Sequence, residues 1–357
     1  MLVHVLRKLG LGARRLALAI FVAALLPFCL FNSSFIWPKL LGGSFGLLAI
    51  WVLLLRKPPE AADKGEARNH GWLAAALLSA LAMLCHGGTV FGILAMLLLA
   101  PFLRGIPGPR TMFACALGVA LLLGPWSAWQ KLVNPPGTAL MKSVFAGTYG
   151  FDEPQMGVLD TIKRSYAGLD RQKWLGMKAD GLRSIVLPAT AQTCGQGEMS
   201  EGASGIGEWR VIDFISLFPS LRFLWLGLLA VPVVLLRGGA REGLRAPLLL
   251  LGVGLLGVAI DILVAWDCQI IHTQSYESVL AIIAGLLLLL LRLPQRWPAL
   301  VVATLSIGYT LWVWVLDPLK LGTYLDPIAL AACALLLAGA ARLALGREHP
   351  AAPEVAA

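Results

Sequence analysis

Ten apolar stretches, separated by short polar turns and one long polar segment, set the pattern of this chain. They are Leu16–Phe31, Leu40–Leu55, Trp72–Cys85, Thr89–Leu103, Thr111–Trp129, Ile212–Leu236, Ala246–Trp266, Ser278–Leu293, Trp297–Leu316 and Pro327–Leu345. Runs of this kind predict membrane spans, because a hydrocarbon core of roughly 30 Å is crossed by about 20 helical residues. Trp72–Cys85 and Thr89–Leu103 are short for that thickness, so they need neighbours around them. The pattern predicts an all-α, polytopic integral membrane helix bundle of about ten transmembrane helices, and no lone anchors.

The polar breaks alternate between arginine-rich and arginine-poor. With the N-terminus cytoplasmic, the cytoplasmic segments hold Arg7, Lys8, Arg14, Arg15, Arg56, Lys57, Lys64, Arg68, Arg104, Arg110, Arg237, Arg241, Arg245, Arg292, Arg296, Arg342 and Arg347. That is seventeen of 29 basic residues, against Lys39 and Lys320 in the short outer turns. Lys/Arg bias in short loops sets orientation, so the expected topology is N-in/C-in. The basic N-terminus followed by an apolar run mimics a signal peptide. The bulky Pro27–Phe31 lacks a small-x-small cleavage site, so the segment is expected to stay as a span.

The one long hydrophilic stretch, Gln130–Arg210, then falls outside. It divides the chain into an N-terminal five-span module (1–129), an extracytoplasmic loop (130–210), a C-terminal five-span module (211–345) and a disordered cytoplasmic tail (346–357). Loops of this length tend to carry function. Leu159, Ile162, Tyr166 and Leu169 recur at i, i+3, i+7 and i+10, the spacing of an amphipathic helix. Such a helix lies in the membrane interface or packs over the outer ends of the bundle. Cys194–Gly207 reads as a flexible loop, Lys57–Asn69 as a polar tether, and no internal repeat is visible.

Composition agrees: 58% apolar residues, 14% charged and a mean hydropathy of +0.78 exclude a soluble globular domain. The net charge of +9 is explained by helix ends facing anionic headgroups, and no nucleic-acid partner is expected. Cys29, Cys85, Cys115 and Cys333 sit in or beside spans as small apolar fillers. Cys194 and Cys268 both fall outside, where an oxidising compartment would let them pair.

Ionisable groups at membrane depth are costly and so are functional candidates. Asp261 lies just inside the outer end of the seventh span. Asp267, His272, Tyr276 and Glu277 occupy the turn that follows and the start of the eighth. His86 sits in the turn His86-Gly87-Gly88, and Lys39 opens the second span. Lys131 and Lys142 flank Asn134-Pro135-Pro136-Gly137. Lysines suit a phosphate, histidine titrates near neutrality, and Asp267 or Glu277 suits general-base work. The plainer readings are a snorkelling Lys39, a tight helix crossing at His86, Asp261 hydrogen-bonded within the bundle, and solvated helix ends at Asp267 and Glu277. No metal-ligand spacing, phosphate-binding glycine loop or serine elbow is present, and no cofactor is expected.

Taken together, Trp37-Pro38-Lys39-Leu40-Leu41, His86-Gly87-Gly88, Pro125-Trp126 leading into Gln130-Lys131, Asn134-Pro135-Pro136-Gly137 with Leu140, Lys142, Ala146 and Gly147, and Ile271-His272-Thr273-Gln274-Ser275-Tyr276 resemble bacterial members of the C-type (GT-C) superfamily of membrane glycosyltransferases. The resemblance implies inverting transfer of a hexose or pentose from a polyprenyl-phosphate donor to an envelope glycan or lipid acceptor, on the outer face of the inner membrane. It implies donor-phosphate contacts at Lys39, His86 and His272. The family keeps an acidic catalytic motif in its first outer loop, whereas Asn32–Lys39 contains no Asp or Glu. The chain is therefore read as starting about two spans late in that family's plan. A silent lipid-binding or subunit partner, and a transporter or flippase using Asp261 as a relay, are the alternative functions.

Overall fold

The computed structural model describes residues 1–26, 38–56, 64–133, 139–147, 156–186, 217–236, 241–266, 275–293 and 297–314, plus isolated positions between 28–32 and 334–342. Among them every regular element is helical. The helices are α1 (Leu2–Lys8), α2 (Ala13–Leu25), α3 (Lys39–Ile50, extended by a π turn Trp51–Leu55), α4 (Lys64–Cys85), α5 (Val90–Arg104), α6 (Pro109–Leu132), α7 (Ala139–Ala146), α8 (Val158–Ala167), α9 (Arg171–Val186), α10 (Leu217–Leu221), α11 (Ala230–Leu236), α12 (Arg241–Val264), α13 (Tyr276–Arg292) and α14 (Trp297–Trp314).

α13 is the axis of the fold. Every residue from Tyr276 to Leu291 is buried, enclosed mainly by α12, α3 and a 3-10 stretch Arg222–Leu229, with α2 and α5 adding contacts. A helix apolar all round belongs in the centre of a bundle. α6 is the opposite case: it packs on α4, none of its residues is buried, and Phe113 and Leu121 lie open. Large apolar surface pointing outward while charge is buried within is the arrangement that a lipid solvent favours.

Among the described residues three helical stretches are long and apolar enough to cross a membrane: Gly87–Arg104, Pro109–Leu132 and Gly243–Val264. Lys39–Leu55, Arg222–Leu236 and Trp297–Tyr309 are apolar but shorter. The tenth predicted stretch lies almost wholly outside the described residues, as do Asp267, His272, Cys194 and Cys268.

Several boundaries differ from the sequence reading. Lys64–Asn69, read as tether, forms the start of α4, with Glu66 in its first turn, where an acid suits the helix dipole. The run Ile212–Leu236 is broken within its described part into α10, the 3-10 stretch and α11. Arg222 stands at the break with φ +36°. Around Leu159–Leu169 the predicted face is incomplete: α8 ends at Ala167, Leu159 is 72% exposed, and the buried residue is Thr161.

Several arginines of the core helices converge at one end. Arg104 donates through Nε to Leu53 O (2.8 Å) and through its terminal nitrogen to Arg56 O (2.6 Å). It thereby satisfies carbonyls that the end of α3 leaves without helical partners. Gly105, at φ +74°, ends α5 in a conformation that L side chains rarely adopt and lies against Arg68. Arg245 acts electrostatically on Arg104, and Arg292 reaches Leu9 O.

Candidate functional site

At the other end, three helices meet the start of α13 with glycines. Gly43 and Gly46 of α3 face Tyr276 and Glu277, Gly92 of α5 faces Glu277 and Ser278, and Gly254 and Gly257 of α12 face Ile282 and Ser278. Without side chains at those positions the backbones approach closely enough for α13 to begin inside the bundle.

That approach buries chemistry. The Gly92 N–H donates to Glu277 Oε1 at 2.7 Å, and Ser275 Oγ donates to the same oxygen at 2.8 Å. Ser275 Oγ lies 2.5 Å from Ser278 Oγ. Glu277 is 0% exposed, and its second oxygen, Oε2, is buried with no hydrogen-bond partner. The reading of Glu277 as a solvated helix end is thus corrected: facing glycines admit it to the interior. Asp261, 4% exposed, acts electrostatically on Glu277.

Above them the Tyr276 ring is the meeting point. Lys39 Nζ lies 5.4 Å from its centroid, within cation–π range. The His86 ring meets it edge-on at 5.2 Å, and Phe28 packs beside it at 5.4 Å. Burial, and then the Lys39 charge, push the His86 pKa down to about 4. This imidazole is therefore neutral at physiological pH and does not titrate near neutrality as its type suggests. Its Nδ1 is buried without a hydrogen-bond partner.

Comparison with protein-family models, with curated proteins and with solved structures returned no match.

Helices from the long polar segment sit over the same end. The Trp266 N–H donates to Val144 O (2.8 Å), joining the end of α12 to α7. The Trp266 indole meets Tyr166 of α8 edge-on at 4.7 Å and lies against Gly147, whose φ is +68°. Ser165 Oγ donates to Ala146 O (2.9 Å), and Lys178 of α9 donates through Nζ to Ala265 O. Phe145 contacts Phe91, the neighbour of Gly92. Lys142, one turn earlier on α7, is 1% exposed.

The structure therefore gathers Lys39, His86, Asp261, Tyr276 and Glu277, with Phe145 of α7 reaching Phe91 beside Gly92. It leaves Lys131 exposed on the last turn of α6, outside that network. The sequence reading gave no role to Ser275, although it stands in the motif Ile271–Tyr276, and missed Ser278 and Lys178, which no pattern singles out. It also missed Arg222, whose charge inside an apolar run was a readable signal. Arg222 stacks on Tyr309 at 3.7 Å from the ring centroid and donates to its hydroxyl at 2.5 Å. Among the described residues no group of three or more His, Cys, Asp or Glu could hold a metal ion.

Proposed function

We propose that this chain is an N-in/C-in bundle of about ten spans in a bacterial inner membrane. In this reading it binds a polyprenyl-phosphate-linked sugar at the outer helix ends and passes the sugar to an envelope glycan or lipid acceptor. One observation carries the reading: lysine, histidine, tyrosine and carboxylates converge at the end of an apolar bundle opposite Arg56, Arg104, Arg245 and Arg292. A lipid-linked phosphate has the matching shape, with its chain among the helices and its anionic head beside Lys39. Lysine is a compact point charge suited to phosphate.

In the transfer step the acceptor oxygen bonds to the anomeric carbon, the bond from that carbon to the phosphate oxygen breaks, and polyprenyl phosphate leaves. The hydroxyl proton passes to a carboxylate base. Asp267 takes that role in this reading, because Glu277 faces no open surface and its Oε1 already accepts two hydrogen bonds.

Membranes containing the protein are expected to transfer label from a polyprenyl-phosphate sugar, and Lys39→Ala to reduce transfer at least about tenfold, the equivalent of one lost charge-assisted contact. Full transfer by Lys39→Ala, or none by the wild type, overturns the reading. Topology is tested separately in a cysteine-free background. Gly87→Cys should react with an impermeant maleimide in spheroplasts, and Arg110→Cys only after lysis; the reverse pattern refutes N-in.

A further inference from the structure

Asp261 and Glu277 stand at one level of the bundle. Along the antiparallel pair α12 and α13, Gly254 meets Ile282 and Gly257 meets Ser278. Continuing that register one turn sets Asp261 level with Ser275, whose hydroxyl is bonded to Glu277. Two carboxyl groups are thus enclosed together, and the Asp261 charge acts on Glu277.

Glu277 carries the second observation. Its Oε1 is committed to Gly92 and Ser275, while Oε2 is sealed from solvent with no hydrogen-bond partner. A carboxylate oxygen in that state is strongly disfavoured, and the group neutralises instead. The surroundings are tight: a Cβ at Gly46, Gly92 or Gly257 would run into Glu277 or Ser278. Close packing of this kind favours the smallest cation. Among the described residues the charged and titratable groups at this end are Lys39 from α3, the neutral His86 before α5, Asp261 from α12 and Tyr276 of α13 itself, with Lys142 on α7, whose Phe145 contacts Phe91. The Lys39 ammonium lies over the Tyr276 ring.

We propose that Glu277 and Asp261 form a buried proton-binding site that holds one proton between them at neutral pH. The site is independent of glycosyl transfer, since its ligand is a proton taken from solvent. His86, neutral down to about pH 4, is a separate group and does not supply the signal.

Infrared spectroscopy of the full chain in lipid nanodiscs, with no donor present, tests this. The wild type is expected to show a carboxylic-acid C=O band at pH 7 that shifts in D2O. Glu277→Gln, whose amide oxygen still accepts from Gly92 and Ser275, should remove the band while the protein stays monodisperse. Asp261→Asn, by removing the like charge, should lower the proton affinity about tenfold or more, so that the band fades at lower pH. His86→Gln should leave the band in place. Absence of the band in the wild type, its survival in Glu277→Gln, or an unmoved titration in Asp261→Asn overturns the proposal.

Discussion

Replacing Gly257 with alanine is expected to destabilise the protein by on the order of 3 kcal/mol, at the upper end of what overpacking a core costs. The same change at Gly252, five residues earlier on α12, is expected to be neutral or to stabilise by about 0.5–1 kcal/mol through helix propensity. The contrast follows from what each new methyl group meets. At Gly252 nothing lies within 4 Å. At Gly257 the added carbon runs into Ser278 Oγ and lies 3.0 Å from the Gly92 Cα and 3.1 Å from the Ser278 Cβ. Ser278 cannot swing aside freely, because its hydroxyl is 2.5 Å from that of Ser275. Gly92 offers only backbone, so relief means moving α5 away from α12. That movement also stretches the bond from the Gly92 N–H to Glu277. Thermal unfolding of the two variants in the same detergent measures the difference. Equal melting temperatures would show that α12, α5 and α13 do not meet in this register.

Apolar periodicity was enough to place α5, α6 and α12, because runs such as Thr111–Trp129 carry their own signal in consecutive residues. Arginine spacing was enough to foresee one basic end, and Arg68, Arg104, Arg245 and Arg292 do gather there. The candidate site was legible as a list and not as an arrangement. Lys39, His86, Asp261, Tyr276 and Glu277 stood out because charge and polarity are rare in apolar sequence. Their enclosure depends on Gly46, Gly92 and Gly257, which lie in three segments remote from one another, and a single sequence does not say which glycine faces which side chain. Glu277 shows the consequence. Locally it is an acid at the first turn of a helix after a polar turn, the signature of a solvated N-terminus. Only the long-range packing buries it. Arg222 is the converse: its signal was local, and an uninterrupted apolar average over Ile212–Leu236 hid both the charge and the break in the helix.

Trp266→Ala is expected to release the helices of the polar segment while leaving the bundle folded. Trp266 ends the α12 strand of contacts and joins it to two separate elements, α7 through its N–H to Val144 O and α8 through the ring contact with Tyr166. Alanine keeps the backbone bond but removes the indole, and Gly147 loses the surface against which it is packed. Full truncation of a core tryptophan costs 3–5 kcal/mol; Trp266 is partly exposed, so about 2 kcal/mol is the appropriate scale. That amounts to roughly a thirtyfold rise in local opening. Hydrogen exchange should therefore quicken about thirtyfold in α8 and α9, whose attachments at Ala146 and Ala265 flank the lost ring. The amides of α13 should keep their protection, since its burial comes from α12, α3 and the 3-10 stretch and not from these helices. Trp266→Phe, which retains an aromatic edge for Tyr166, should recover part of the protection. If α13 loses protection along with α8, the polar segment is integral to the core; if neither changes, Trp266 does not fasten it.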